Sequence, residues 1–375
     1  MNRELNNPFL IAGYHSPKYF CDRQEEGTCI KQALENDRNI TLIAPRRMGK
    51  TGLIKNIFYE MQQRGEIVTI YLDIFSTQNL NEFVRLLAES VIGSLDSDFE
   101  KILSKMGKLF KSFRPSIQFD ELTGLPQITI EISQDKEETS LKEIFNYLAS
   151  NNQRCVLAID EFQQIAAYPE KGVEALLRSY TQFVHNTRFI FAGSKRHIMQ
   201  EMFMSAKRPF FQSTQIISVG AIDKNAYYTF AQHFFNEKGF SFQQELFNEM
   251  YDDFDGYTWY MQALLNRLYG YNEIIVEKQI VTRAIEELVE ENASGYQNLL
   301  DAYSSSNVRL LKAIAKEGAV AQINSGEFIS KYNLKAASSV KSSLDKLIDK
   351  ELVYKSEKGY VIYDRFMSIW LQRLP

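Results

Sequence analysis

Apolar residues recur along this chain in two rhythms, and the change from one to the other divides it. In the first part, short continuous apolar runs appear at Ile40–Ala44, Ile67–Phe75, Cys155–Asp160, Arg188–Gly193 and Gln215–Val219, with stretches of helical spacing between them. Runs of this length are too short for helices, and unbroken hydrophobicity suits strands buried on both faces. Their alternation with helical patterns, which begin at Gly27–Glu35, predicts an α/β fold: a parallel sheet covered on both faces by helices. After Val219 only the helical period remains. Ala226–Lys238, Gln243–Tyr251, Trp259–Tyr269 and Glu277–Asn292 each place apolar residues at helical spacing, which predicts a helical lid over 221–303.

Ser304-Ser305-Ser306 reads as a linker. Beyond it come a helix (Val308–Lys316), a short helix (Gly326–Tyr332) and a longer helix (Lys335–Lys350). Two short strands follow, Leu352–Lys355 and Tyr360–Tyr363, around Ser356-Glu357-Lys358-Gly359. Three helices and a hairpin predict a winged helix over 304–375, with Met367, Ile369, Trp370 and Leu371 of the tail packing back on it. The remaining 1–220 form the expected sheet domain, interrupted once. Ile117-Gln118-Phe119 and Gln127–Ile132 flank the turn-rich Asp120–Pro126 and predict a hairpin over 113–132. Such a hairpin either meets a partner or covers a sheet edge.

Composition narrows the function classes. A length of 375 residues with 45% apolar and 24% charged residues gives two or three ordinary globular domains. A net charge of −4 excludes a globally basic nucleic-acid binder and leaves room for a local basic patch. The 26 Phe and 20 Tyr predict thick helical cores. Three cysteines (Cys21, Cys29, Cys155), an odd number without paired spacing, predict a reducing, cytoplasmic setting, and the four His show no metal-ligand spacing. Met1-Asn2-Arg3-Glu4 lacks a leader's apolar stretch and no run approaches a bilayer span, so no membrane partner is expected.

The chemistry begins where the first strand ends. Ala44-Pro45-Arg46-Arg47-Met48-Gly49-Lys50-Thr51, followed by Gly52, lies between the run Ile40–Ile43 and the helical Leu53-Ile54-Lys55-Asn56-Ile57. Strand, tight loop and helix in that order cradle a nucleoside triphosphate. Backbone N–H groups and the helix N-terminus face the phosphates, Lys50 reaches the β and γ oxygens, and the Thr51 hydroxyl holds Mg²⁺. Lys50 is expected to face solvent. Ala44 stands where a first Gly is usual, so the turn leaving the strand must be one that a small L-residue makes. A second motif answers the first: the buried run Cys155–Ile159 ends in Asp160-Glu161. Two carboxylates at the end of a buried strand are costly without cations or water to act on. Asp160 is assigned to the Mg²⁺ shell and Glu161 to orienting and polarising the attacking water. The strand Ile67–Phe75, intervening in sequence, favours the arrangement in which the loop strand and the acidic strand are not neighbours.

With these motifs the chain resembles the archaeal-type ATPase family, within the STAND and origin-initiator branch of the AAA+ P-loop ATPases. The likeness rests on Phe20-Cys21-Asp22-Arg23-Gln24-Glu25-Glu26, the loop Ala44–Thr51 (Walker A), Leu157–Phe162 (Walker B), Phe191-Ala192-Gly193-Ser194, Lys207-Arg208-Pro209-Phe210-Phe211 and the ending Tyr363-Asp364-Arg365-Phe366…Trp370. The resemblance implies that Ser194 stands near the γ-phosphate as a sensor, the alternative being a plain Gly-Ser turn. It implies that Arg208 either meets a nucleotide, in its own or a neighbouring subunit, or makes a structural ion pair. It also implies a Gly-x-Pro contact to adenine in the lid, where this chain has Gly256-Tyr257-Thr258-Trp259, with Thr258 in place of Pro. No sensor arginine is evident in the lid, so lid closure is expected to couple weakly to nucleotide state.

The function expected is ATP binding with slow Mg²⁺-dependent hydrolysis, the nucleotide state controlling lid and winged-helix position. Two alternatives stand beside it: a nucleotide-gated DNA-binding protein, or a signalling scaffold that binds ATP and hardly hydrolyses it. Expected partners are ATP and ADP, a protein or DNA on the winged helix, and further copies of the chain as a homo-oligomer. Lys335, Lys341, Lys346, Lys350, Lys355 and Lys358 favour DNA, while Asp345, Asp349, Glu351 and Glu357 dilute them to a mildly basic patch.

Overall fold

The short apolar runs become one parallel sheet because each is long enough to cross a buried layer and has no polar face to present to water. The computed structural model describes residues 4–65, 67–95, 111–119, 126–132 and 136–374. The main strands are β1 (Ile40–Ile43), β2 (Ile67–Asp73), β5 (Arg154–Asp160), β6 (Thr187–Gly193) and β7 (Gln215–Ser218). They lie in the order β2-β5-β6-β1-β7, all parallel. The loop strand β1 and the acidic strand β5 are therefore separated by β6, as the intervening strand in the sequence predicts. Register brings Asp160 beside Asp73 and Ile43 beside Gly193, so the carboxyl ends of the strands share one edge. In open parallel sheets that edge is where ligands bind.

Helices α1 (Gln24–Glu35), α2 (Lys50–Arg64), α3 (Leu80–Leu95), α4 (Glu137–Ser150), α5 (Val173–Phe183) and α6 (Arg196–Met204) accompany this sheet. Phe162, Phe191, Phe203 and Phe210 interlock with centroids 4.5–5.8 Å apart, filling the layer behind the acidic end of β5. The expected hairpin exists as β3 (Phe113–Phe119) and β4 (Pro126–Ile132), antiparallel and in a sheet of its own. It does not pair with the edge of the main sheet. Ile130 is buried in the same core as Phe83, Val84 and Leu87 of α3. The turn expected at 120–125 lies outside the described residues.

The chain divides into two compact units, one holding Ala12–Tyr227 and the other Leu5–Ile11 with Tyr228–Pro375. The boundary falls inside α7 (Lys224–Glu237). In the second unit, α8 (Gln244–Asp253), α9 (Thr258–Gly270) and α10 (Lys278–Asp301) precede a winged helix built from α11 (Ser305–Glu317), α12 (Gly326–Lys331), α13 (Ala337–Asp349), β8 (Val353–Ser356), β9 (Gly359–Ile362) and α14 (Arg365–Arg373). Ser304, read as linker, instead caps α11, its hydroxyl accepting from the Asn307 N–H. Phe9 of the N-terminal segment sits among Phe230, Phe234, Phe235 and Tyr269, and Asn7 and Asn266 exchange bonds with the backbone around them.

Candidate nucleotide site

The loop after β1 is shaped by where the chain permits left-handed backbone. The Ala44 N–H donates to the Gly193 carbonyl at 3.2 Å and prolongs the ladder with β6. The positive φ values come later, at Arg47 (68°) and Gly49 (86°). The first Gly of the usual pattern is thus not needed, and Gly49 carries the conformation that an L-residue resists. Gly49 caps α2, whose Leu53, Ile54 and Ile57 are buried against the sheet. That packing fixes the helix N-terminus, with its unpaired N–H groups, over the loop.

Two residues of the quoted N-terminal motif brace this loop. The Phe20 ring lies 3.4 Å from where a Cβ on Gly52 would stand. Arg23, 4% exposed, donates from Nη2 to the Met48 carbonyl at 2.9 Å and pairs through Nη1 with Glu26 at 2.9 Å. Arg46 stacks its guanidinium 5.4 Å from the Phe75 ring centroid.

The carboxylates of β5 meet the loop. Lys50 Nζ contacts Asp160 Oδ1 and lies 3.1 Å from Glu161 Oε1. With 6% exposure, Lys50 is buried, not solvent-facing, because the acidic pair draws its ammonium inward. Thr51 Oγ1 donates to Asp160 Oδ2 at 2.6 Å, and the Tyr71 hydroxyl donates to the same oxygen at 2.9 Å. Burial alone would raise the Asp160 pKa. The Lys50 charge and the hydrogen bonds from Lys50, Thr51 and Tyr71 outweigh it and hold the carboxyl below its ordinary value. Burial, then the Asp160 charge, push the Tyr71 hydroxyl pKa upward, so Tyr71 stays a donor.

Glu161 sits in left-handed backbone, φ 57°, with its N–H donating to Asp160 Oδ1 at 2.9 Å. Non-glycine residues held there are strained by about 1–2 kcal/mol, and such strain gathers at functional sites. Ser194 Oγ donates to Glu161 Oε2 at 2.6 Å, and Gln163 Nε2 donates to the same oxygen. Gly193 makes room for this: a Cβ there would collide with Gln163 Oε1 and Met199.

Lys50, Thr51, Asp160, Glu161 and Ser194 are therefore brought together, with Gly49 beside them. Tyr71, Gln163 and Arg23 are members that the sequence reading did not assign. Tyr71 is visible beforehand only as a tyrosine near the end of a strand, and its reach to Asp160 depends on the β2–β5 register. Arg208 is not part of the cluster. It pairs with Glu174 of α5 and, at 3.5 Å, with Glu201 of α6, and none of its bonds reaches Lys50 or the β5 carboxylates.

The donor set fits a hard cation. Thr51 Oγ1 and Asp160 Oδ2 are adjacent oxygens of the kind Mg²⁺ takes when phosphate oxygens and water complete its shell. Among the described residues no group of three or more His, Cys, Asp or Glu forms a self-sufficient metal cage. In the second unit, the stretch in the adenine-contact position is engaged with the winged helix. Tyr257 and Tyr354 share a 2.7 Å hydroxyl bond, Asp255 pairs with Arg365 at 2.7 Å, and Tyr260 meets the Phe366 ring edge-on at 5.0 Å.

Comparison with known proteins agrees with this fold. Residues 294–373 match the model of a probable winged helix domain. A Walker-type ATPase of Pyrococcus abyssi is 19% identical, with a TM-score of 0.65 over 97% of this chain and 99% of that one. The ORC1 protein of Aeropyrum pernix, solved in complex with DNA, is 12% identical with a TM-score of 0.56 over 98% and 96%. An uncharacterized HTH-type transcriptional regulator of Methanocaldococcus jannaschii is 20% identical over 95% of this chain and 89% of its own length. No described helix is long and apolar enough to cross a membrane. Residues 20–264 match the model of the ATPase domain found predominantly in Archaea, so the chain belongs to that ATPase family.

Proposed function

We propose that the chain binds ATP with Mg²⁺ and hydrolyses it slowly, and that nucleotide state controls the lid and the winged helix. The observation that carries this reading is the meeting of Lys50, Thr51, Asp160 and Glu161 at the carboxyl edge of the sheet. In this reading Pro45, Arg46, Arg47, Met48, Gly49 and Gly52 shape the phosphate cradle. Lys50 exchanges its carboxylate contacts for the β and γ oxygens. Thr51 and Asp160 would hold Mg²⁺, which would supply positive charge to offset that of the phosphates. Glu161, aimed by Ser194 and Gln163, orients and polarises the attacking water. Within its own chain Arg208 is paired with Glu174 and Glu201, which favours its structural role over a contact to the nucleotide and supports slow turnover. The free thiols of Cys21, Cys29 and Cys155 support a reducing, cytoplasmic setting.

Lys50→Ala tests the cradle: calorimetry should show ATP binding lost, and wild-type affinity in the variant would end the assignment. Glu161→Gln tests the chemistry. ATP should still bind while kcat falls on the order of a hundredfold or more; unchanged turnover would assign the base elsewhere.

A second reading, nucleotide-gated DNA binding, has its own observation. Residues 304–375 hold 12 Lys and Arg against 7 Asp and Glu, in a chain whose net charge is −4. Positive charge is thus concentrated on the winged helix, the kind of module that places a helix in the major groove. The DNA in the ORC1 complex and the HTH description of the relative point the same way.

A further inference from the structure

We propose that Tyr71 is a positioning residue for the metal of the nucleotide site, holding the Asp160 carboxylate in place while its partners on α2 exchange. This role rests on the ATP and Mg²⁺ reading above and deepens it. It names the group that keeps the metal-binding carboxylate oriented once nucleotide is bound.

Asp160 takes donors of two kinds. Oδ1 accepts from Lys50 Nζ and, at 2.9 Å, from the Glu161 N–H. Oδ2 accepts from Thr51 Oγ1 at 2.6 Å and from the Tyr71 hydroxyl at 2.9 Å. Lys50 and Thr51 open α2 and are the residues assigned to phosphate and metal. In that reading both leave the carboxylate: Lys50 turns to phosphate oxygens, and Thr51 turns its oxygen to the metal. The Glu161 N–H and the Tyr71 hydroxyl come from β5 and β2, take no part in phosphate binding and stay. Each oxygen of Asp160 thus keeps one fixed donor, and on Oδ2 that donor is Tyr71. The carboxylate is 1% exposed, so water does not readily replace a donor that it loses.

The fold suits Tyr71 to this reach. In the β2–β5 register Tyr71 stands beside Ala158 and Asp73 beside Asp160. Tyr71 and Asp160 therefore share a face of the sheet, two residues apart on neighbouring strands. That diagonal is about 8 Å between Cα atoms, from the rise and spacing of strands. A tyrosine spans it where a serine or threonine would not. Ala158, directly beside Tyr71 in the ladder, presents only a methyl group and leaves room for the ring. From α2, Lys55 Nζ lies 5.1 Å from the ring centroid and holds the ring by a cation–π contact. A partner that fixes a ligating carboxylate in this way strengthens metal binding, and its loss costs about tenfold to a hundredfold in metal affinity. Phosphate binding through Lys50 and the loop does not pass through Tyr71.

The test titrates the full chain with ATP by calorimetry, first in EDTA and then over a Mg²⁺ series. Tyr71→Phe removes one oxygen and keeps the ring. Its ATP affinity without metal should equal that of wild type, while the Mg²⁺ midpoint should rise about tenfold to a hundredfold. Mn²⁺ titrated into the ADP-bound chain, followed by electron paramagnetic resonance, should show the same loss directly. In an Asp160→Asn background Tyr71→Phe should cost nothing further, because it acts through that carboxylate. A lower melting temperature with an unchanged Mg²⁺ midpoint would leave Tyr71 a packing role alone and overturn the proposal. An equal loss in the Asp160→Asn background would overturn it too. Wild-type ATP binding that ignores Mg²⁺ would end the role of Tyr71 and leave the nucleotide site standing. A wild type that binds no ATP would remove the ATP reading and this role together.

Discussion

Arg23→Ala should loosen the phosphate loop from behind. The guanidinium is buried, with 3% of its side chain exposed, and makes two bonds of 2.9 Å, to the Met48 carbonyl and to Glu26. A hydrogen bond from a charged donor contributes about 1.5–3 kcal/mol. Glu26 keeps 24% of its side chain exposed and regains water when its partner leaves, so that pair contributes at most about 1 kcal/mol. Together the loss is about 3 kcal/mol. For a unit the length of Ala12–Tyr227 that corresponds to a Tm lower by about 6–12 °C, at roughly 2–4 °C per kcal/mol. Melting followed by circular dichroism measures this. ATP titration by calorimetry supplies the readout that a merely structural role would leave alone: loss of the Arg23 bond to the Met48 carbonyl loosens the loop, so affinity should fall in molecules that are still folded. Arg23→Lys, with a point charge but no fork, should restore less than half of either loss. A variant melting within about 2 °C of wild type and binding ATP equally well would refute the reasoning.

Asp160 links the site to pH. Burial opposes its ionisation, but Lys50, Thr51 and Tyr71 hold its pKa below the unfolded value, so its contribution to stability is full above about pH 4 and fades as pH falls through the lower folded value. Urea unfolding of wild type and Asp160→Asn should show a stability gap that narrows on acidification; a gap independent of pH would mean that the carboxylate is not stabilised. Arg208→Ala should lower the Tm through loss of its contacts to Glu174 and Glu201, with kcat per folded molecule kept within about twofold. Restored turnover on mixing Arg208→Ala with Glu161→Gln proteins would instead place that arginine in a neighbour's site.

What was legible in the sequence was what local patterning dictates. The runs at Ile40 and Cys155 could only be buried strands, and the Gly49-Lys50-Thr51 and Asp160-Glu161 pairings followed from their positions at strand ends. The winged helix was legible from periodicity and a turn, although Ser304 proved to be a cap, since a serine before a helix and a serine in a linker look alike. Properties that depend on distant contacts were not legible. The burial of Lys50 follows from carboxylates more than a hundred positions away. The bond from Tyr71 needs the β2–β5 register, and the need for Gly193 appears only once Gln163 and Met199 stand over it. Arg23 lay inside a quoted motif, yet its sequence neighbours hold nothing of its bond to Met48.

The N-terminal segment has a consequence for the order of events during synthesis. Leu5–Ile11 belongs to the second unit, and Asn7 bonds to a residue 259 positions downstream. On a ribosome adding roughly 5–20 residues per second, Phe9 waits about 13–50 s before Asn266 exists. During that interval the sheet of the first unit can complete itself, because its last strand ends at Ser218. Apolar residues made before the sheet thus find their place after it, and a nascent chain stalled before Tyr269 presents an undocked Phe9 to whatever chaperone surveys the exit tunnel.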